Sequence, residues 1–253
     1  MQIITSLLPP QDASSAIEPA DVAVVIDVLR ATSVMATALQ AGAKRIITVG
    51  QIEAAIELAD HLQPRPLLCG ERQCVRIPGF DLGNSPAEYG PEQVQGKTLV
   101  LTTTNGTAAI ERTGAATAVI TACFLNFSAV VATLARYRTV HFLCAGTDGQ
   151  ITDDDVLLAG GLIVACEAQY GAHLINDDSQ TAQQLWQREF GTDVIPTTAQ
   201  LARFLRETRG ARNLVRLGYE SDIERCAQLD QLSVVPHLRG NKPHWFASDP
   251  SRR

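Results

Sequence analysis

Seven short apolar runs alternate with helix-spaced segments almost to residue 175, and this alternation limits the folds open to the chain more than any other feature. The runs are Gln2–Leu7, Val22–Ile26, Arg45–Val49, Pro66–Cys69, Thr98–Thr102, Ala118–Thr121 and Val140–Cys144. Between them, Ser33–Ala41, Ile52–Leu62, Thr107–Arg112 and Ser128–Tyr137 carry apolar residues at helical spacing. In Ile52–Leu62, for instance, Ile52, Ala55, Ile56, Ala59 and Leu62 share one face, with Glu53, Glu57 and Asp60 opposite. Strands joined through helices need right-handed crossovers, so the prediction is an α/β fold: a largely parallel sheet with helices on both faces. After Tyr170 the alternation stops. Thr181–Phe190, Thr198–Thr208, Ala211–Leu217 and Ile223–Leu229 read as helices, Ser233–Val235 as an edge strand ending at Pro236, and Ala247–Arg253 as a frayed end. Residues 1–253 read as a single α/β domain. The tail from about 175 forms a C-terminal helical region, a cap or subdomain with no Gly/Ser linker to mark its boundary.

Composition removes several function classes. A net charge of −6 argues against a nucleic-acid partner, which would be met by a basic face. No run approaches the roughly 20 apolar residues of a membrane span, and the first residues lack the basic segment of a signal peptide. The six cysteines contain no CxxC pair, which points to free thiols in a reducing cytoplasm.

In an open parallel sheet, ligands bind beyond the carboxyl ends of the strands. Four such ends carry dense polar chemistry: Asp27-Val28-Leu29-Arg30-Ala31-Thr32-Ser33; Gly70-Glu71-Arg72 with the later Gly79–Pro86; Thr102–Thr107; and Cys144–Gly149 with Thr152–Asp155. Each also has a structural reading. Asp27 can cap a helix, Thr152 with Asp155 is a ready capping pair, and TTTNGT can be a plain β–α turn. Taken together, however, Asp27, Glu71, Asp81, Asp154 and Asp155 would crowd one sheet edge with negative charge that a hard cation relieves, and carboxylate with water suits Mg²⁺. Arg30 and Arg72 add planar forks for an anion. The Thr104–Thr107 turn adds N–H groups and hydroxyls at a helix start, a seat for phosphate.

The combination points to phosphoryl chemistry, yet no common design fits. Asp27 is followed by Val28 and Leu29 rather than by a second aspartate two residues on. No cysteine has an arginine six residues later, and neither a Walker A sequence nor GxGxxG is present. Gly83-Asn84-Ser85-Pro86-Ala87 falls one residue short of the GxSxG elbow, so a serine hydrolase is discounted.

The segments VVIDVLRATSVMATAL, CGERQCVRIPGFDLGNSP, LTTTNGTAAI and CAGTDGQITDDDVLLAG, with the tail RGARNLVRLGYESDIERCAQLDQLSVVP, resemble the Mg²⁺-dependent 2-phosphosulfolactate phosphatase family, in order and over most of the chain. The resemblance implies an enzyme that hydrolyses 2-phospho-3-sulfolactate to 3-sulfolactate and phosphate, a step toward coenzyme M. It implies Mg²⁺ on Asp27, Glu71, Asp81, Asp154 and Asp155, catalysis by Asp27, Arg30 and Arg72, and substrate contacts from Thr32, Ser33, Asn84, Ser85, Thr104, Asn105, Gly106 and Thr107. Asp154-Asp155 stands where Glu-Asp is the family expectation. Asp27 would either hold Mg²⁺ or attack phosphorus; water attack and an aspartyl-phosphate both remain open. The expected partners are a small anionic phosphorylated substrate and a second copy of the chain, with no nucleic acid and no membrane. The alternatives are a phosphatase for another small phosphorylated acid and a non-catalytic anion-binding α/β domain.

Overall fold

The computed structural model describes residues 1–10, 12, 15–192, 194–241 and 243–249. Among these, eleven strands form one sheet: β1 (Gln2–Ser6), β2 (Ala20–Ile26), β3 (Arg45–Thr48), β4 (Leu67–Arg72), β5 (Val75–Arg76), β6 (Thr98–Thr102), β7 (Ala116–Ala122), β8 (Thr139–Cys144), β9 (His173–Leu174), β10 (Pro236–Asn241) and β11 (His244–Ser248). The helices are α1 (Ala31–Gln40), α2 (Ile52–His61), α3 (Pro91–Val94), α4 (Gly106–Glu111), α5 (Phe127–Leu134), α6 (Asp153–Tyr170), α7 (Asp177–Phe190), α8 (Thr198–Arg206), α9 (Arg209–Arg216) and α10 (Glu220–Cys226). The fold is α/β with a mostly parallel sheet. No helix among the described residues is long and apolar enough to cross a membrane.

The strand order is β5-β4-β6-β3-β11-β10-β7-β2-β8-β1-β9. Two parallel blocks stand out, β4-β6-β3 and β7-β2-β8-β1-β9, and the antiparallel hairpin β10–β11 joins them. The edge strand expected at Ser233–Val235 is therefore corrected. Pairing starts at Pro236, where a strand's first residue can do without its N–H, and the hairpin lies inside the sheet. Of the stretch read as frayed, Ala247 and Ser248 belong to β11, while 250–253 lie outside the described residues.

β2 is buried on both faces, as a central parallel strand of β-branched residues should be. Val22, Val24 and Ile26 pack with Val156, Leu157 and Leu158 of α6. Ala23 and Val25 face α1, whose Val34, Met35, Ala38 and Leu39 share one cluster with Ile46 of β3, Leu99 and Leu101 of β6 and Phe246 of β11. Helix α1 is thus buried nearly all round, Thr32 and Ser33 included. Its amino end is the point to which strand ends from both blocks converge. Helices α8, α9 and α10 pack on one another at the carboxyl side of the chain, and α10 reaches back to the loop around Ser85.

Candidate active site

A cavity of about 560 Å³ opens at this convergence. Its floor comes from strand ends: Asp27 and Arg30 after β2, Glu71 and Arg72 of β4, Asn84, and Thr104 with Asn105 after β6. Its roof is α9, which contributes Gly210, Asn213 and Arg216, followed by Leu217. Thr147 and Asp148, after β8, complete the wall.

Asp27 is 6% exposed, and its Oδ1 accepts the Ala31 N–H at 3.1 Å. Burial, then the nearby Glu71 and Asp154, push its pKa up to about 7, against the pull of the Ala31 N–H and Arg30. Thr32 and Ser33 do not face the cavity. Thr32 Oγ1 donates to the Asp27 carbonyl (2.8 Å) and accepts the Asp27 N–H (3.2 Å), while Ser33 Oγ donates to the Val28 carbonyl (2.9 Å). These hydroxyls, expected on the substrate, brace the loop that carries Asp27. Gly106 stands against that carboxylate: a Cβ there would lie 2.7 Å from both Asp27 Oδ2 and the Ala31 Cβ, so no larger residue fits. Thr107, also expected on the substrate, is buried and donates to the Thr103 carbonyl at 2.6 Å.

Glu71 is a brace as well. Its Oε1 accepts from Thr104 N (2.8 Å) and Oγ1 (3.0 Å), and its Oε2 from Cys74 N (2.7 Å). Cys74 follows Gln73 in the two-residue turn between β4 and β5, and both have positive φ, 66° and 52°. Such a turn ordinarily recruits Asn and Gly, so this backbone is strained beside the cavity. Just before it, Gly70 has φ 142°, and a Cβ would sit 1.9 Å from the Thr102 carbonyl oxygen.

The two expected arginines are held differently. Arg30 is 3% exposed. Its Nη1 donates to Asp222 Oδ2 at 2.5 Å, its Nη2 to the Cys74 carbonyl at 2.9 Å, and its guanidinium lies 4.7 Å from the centroid of the Tyr219 ring. Ser85 Oγ donates to the other oxygen of Asp222 at 2.6 Å, so Ser85 too is turned inward. Arg72 donates to the carbonyls of Glu71 (2.7 Å) and Gly50 (2.9 Å) and to Thr102 Oγ1 (2.9 Å), with no carboxylate partner among the described ion pairs.

A family model described as 2-phosphosulpholactate phosphatase matches residues 7–241. The chain belongs to that family. It is 40% identical over 218 residues to the "Probable 2-phosphosulfolactate phosphatase" of Caldanaerobacter subterraneus subsp. tengcongensis, covering 85% of this chain and 87% of that one. The proteins of the same name from Thermotoga maritima and Microcystis aeruginosa are 40% and 36% identical over 216 and 219 residues; each alignment covers 85% of this chain and 88% of the relative.

The carboxylates expected to form one ligand set are not equivalent. Asp81 lies apart: it is exposed, its Oδ2 accepts the Leu68 N–H at 2.8 Å, and Arg65 stands 3.5 Å away, so it pins its own loop to β4. Asp155 is buried with both oxygens filled, by Val28 N and Gly146 N at 2.9 Å each. Burial and then the neighbouring Asp154 and Asp27 hold its pKa well above the usual carboxylate range. Asp154 is buried behind Gly210, its Oδ1 has no hydrogen-bond partner, and burial pushes its pKa up to about 6. Among the described residues, no group of three or more His, Cys, Asp or Glu side chains is gathered so as to hold an ion. An Mg²⁺ ion needs less than that, because it retains water and commonly takes one or two carboxylates together with phosphate oxygens. Asp27 and the orphaned Asp154 oxygen fit that smaller demand.

The six cysteines are free. Burial raises the thiol pKa of each, to about 12 at Cys69, Cys123, Cys166 and Cys226 and well above its usual value at Cys144. Even Cys74, half-buried on the cavity wall, is raised by burial and by Glu71. A thiolate nucleophile has no support here.

The sequence reading named no residue of the roof and missed Asp222 and Tyr219. Two signals could have found them: the family-like tail segment that contains them all, and its pattern, in which Gly210, Asn213 and Leu217 fall on one helical face without forming an apolar stripe.

Proposed function

We propose that this protein is a phosphoric monoester hydrolase that acts on 2-phospho-3-sulfolactate with Mg²⁺ bound. The observation that carries the reading is the family match, joined to a cavity lined both by a buried carboxylate, Asp27, and by a guanidinium, Arg72, that has no carboxylate partner among the described ion pairs. The reaction breaks the ester P–O bond; water supplies hydroxyl to phosphorus and a proton to the departing lactate oxygen.

Asp27 and Asp154 would hold the Mg²⁺, which would supply charge neutralisation at the phosphoryl oxygens and acidify bound water. Arg72 is immobilised by three hydrogen bonds, so its remaining N–H groups meet phosphoryl charge without reorganisation. Glu71 keeps Thr104 and Cys74 at the correct separation, and the Asp222-paired Arg30 anchors the Asp27 loop rather than reaching for the substrate.

Phosphate release measured across phosphorylated C3 acids, with Mg²⁺ and in excess chelator, tests the reading. 2-Phospho-3-sulfolactate should be the best substrate and chelator should abolish turnover. Equal turnover in chelator would overturn the metal assignment, and a stronger preference for an ester without a sulfonate would overturn the substrate.

A further inference from the structure

We infer that Arg216, with Asn213, is the receptor for the substrate's sulfonate, and that the roof helix therefore sets which phosphorylated acid is accepted. The inference rests on the phosphatase reading above and deepens it.

Three guanidinium groups line the cavity, and their partners differ. The charge of Arg30 is neutralised by Asp222 at 2.5 Å. Arg72 is fixed to the floor beside Thr102 and the Glu71 carbonyl. Arg216 is exposed at the roof, has no carboxylate partner among the described ion pairs, and makes one long contact, from Nη2 to Asn213 Oδ1 at 3.4 Å. An arginine in the last turn of a helix commonly does no more than complement the helix dipole. Arg216 differs in lining the cavity together with Asn213, one turn earlier, so that a guanidinium fork and an amide donor face the same space.

Two cations without acid partners among the described residues, one on the floor and one on the roof, match an anion with separated charges. In 2-phospho-3-sulfolactate C2 bears the phosphate; the carboxylate, C1, is bonded directly to C2, whereas the sulfonate is one carbon further out, on C3. With phosphorus at the strand ends, the longer C3–sulfonate arm reaches further toward α9 than the carboxylate held directly on C2. A sulfonate presents three oxygens to a fork, and a hydrogen bond to a charged group is worth about 10- to 100-fold in affinity.

The test compares 2-phospho-3-sulfolactate with 2-phospholactate, which differs only in lacking the sulfonate. In Arg216→Gln, kcat/KM for the sulfonated ester should fall about 10- to 100-fold, mainly through KM, and by much more than for 2-phospholactate, so the preference collapses. Arg216→Lys should restore part of it, and Asn213→Ala should reduce it in the same direction by less. Inhibition by 3-sulfolactate should weaken alongside. Equal losses on both esters, or an unchanged preference in a variant with wild-type melting, overturns the inference. If the wild type hydrolyses neither ester, the phosphatase reading fails by itself. Calorimetric binding of 3-sulfolactate against lactate then judges Arg216 directly, and equal affinities in wild type and Arg216→Gln reject it.

Discussion

The floor and the roof of the cavity are built to different tolerances. On the floor most polar side chains are tied, Glu71 to Thr104 and Cys74 and Arg72 to three oxygens, and behind it Thr32 and Ser33 brace the Asp27 loop. On the roof, Arg216 is exposed and loosely held by Asn213. The same contrast separates neighbouring acids, for Asp155 spends both oxygens on backbone N–H groups whereas Asp27 keeps one toward the cavity. A fixed floor suits charge that must be stabilised without reorganisation, and a loosely held roof suits discrimination between similar acids.

The sharpest way to break this division is at Asp27. Asp27→Asn keeps the size and removes the charge, and should lower kcat by several orders of magnitude, about 4 kcal/mol or more. Near-normal turnover at saturating Mg²⁺ in a folded variant would reduce Asp27 to a loop cap.

Next comes the tie between the two regions. Asp222→Ala strands the buried Arg30, and denaturant unfolding should show a loss of about 3–5 kcal/mol. A loss below 1 kcal/mol would mean that Arg30 finds another acid. Arg30→Lys should likewise act on stability, because Lys cannot reproduce the fork between Asp222 and the Cys74 carbonyl.

A smaller effect should follow pH. Asp27 and Asp154 are raised to about 7 and about 6 from 3.8. A raised carboxyl binds its proton more tightly in the folded state, so its contribution to stability is full below 3.8 and is lost as pH climbs through 6 to 7. In chelator the melting temperature should fall between about pH 4 and 7, less steeply in Asp27→Asn. Mg²⁺ should raise it more at the upper end of that range than at the lower. An Mg²⁺ effect independent of pH would separate the ion from these two acids.

The smallest expected change is a gain. Gln73→Gly relieves a positive φ in the β4–β5 turn and should add about 0.5–1 kcal/mol. If stability instead falls, the Gln73 side chain makes contacts that outweigh the strain.

Much of the floor was legible in the sequence because strand ends are fixed by local pattern. Asp27, Arg30, Glu71, Arg72, Asn84, Thr104 and Asn105 do meet in one cavity. What the sequence did not disclose is where each oxygen is spent: Asp81 and Asp155 read like Asp27, and only the fold brings Leu68, Val28 and Gly146 N–H groups to them. Helix α9 was visible by its spacing, but which face it turns to the cavity depends on distant packing. The strand Pro236–Asn241 has no apolar alternation and opens on proline; its pairing comes from the neighbours it joins.

That hairpin has a consequence for how the molecule is made. β10 and β11 follow every other strand in chain order, yet they fill the middle of the sheet. During synthesis, β3 and β7 are therefore exposed as two unpaired edges until the ribosome has released residues 236–248, and such edges invite pairing with other chains. A hairpin translated after both blocks thus seals the seam between halves whose own strands were finished before it.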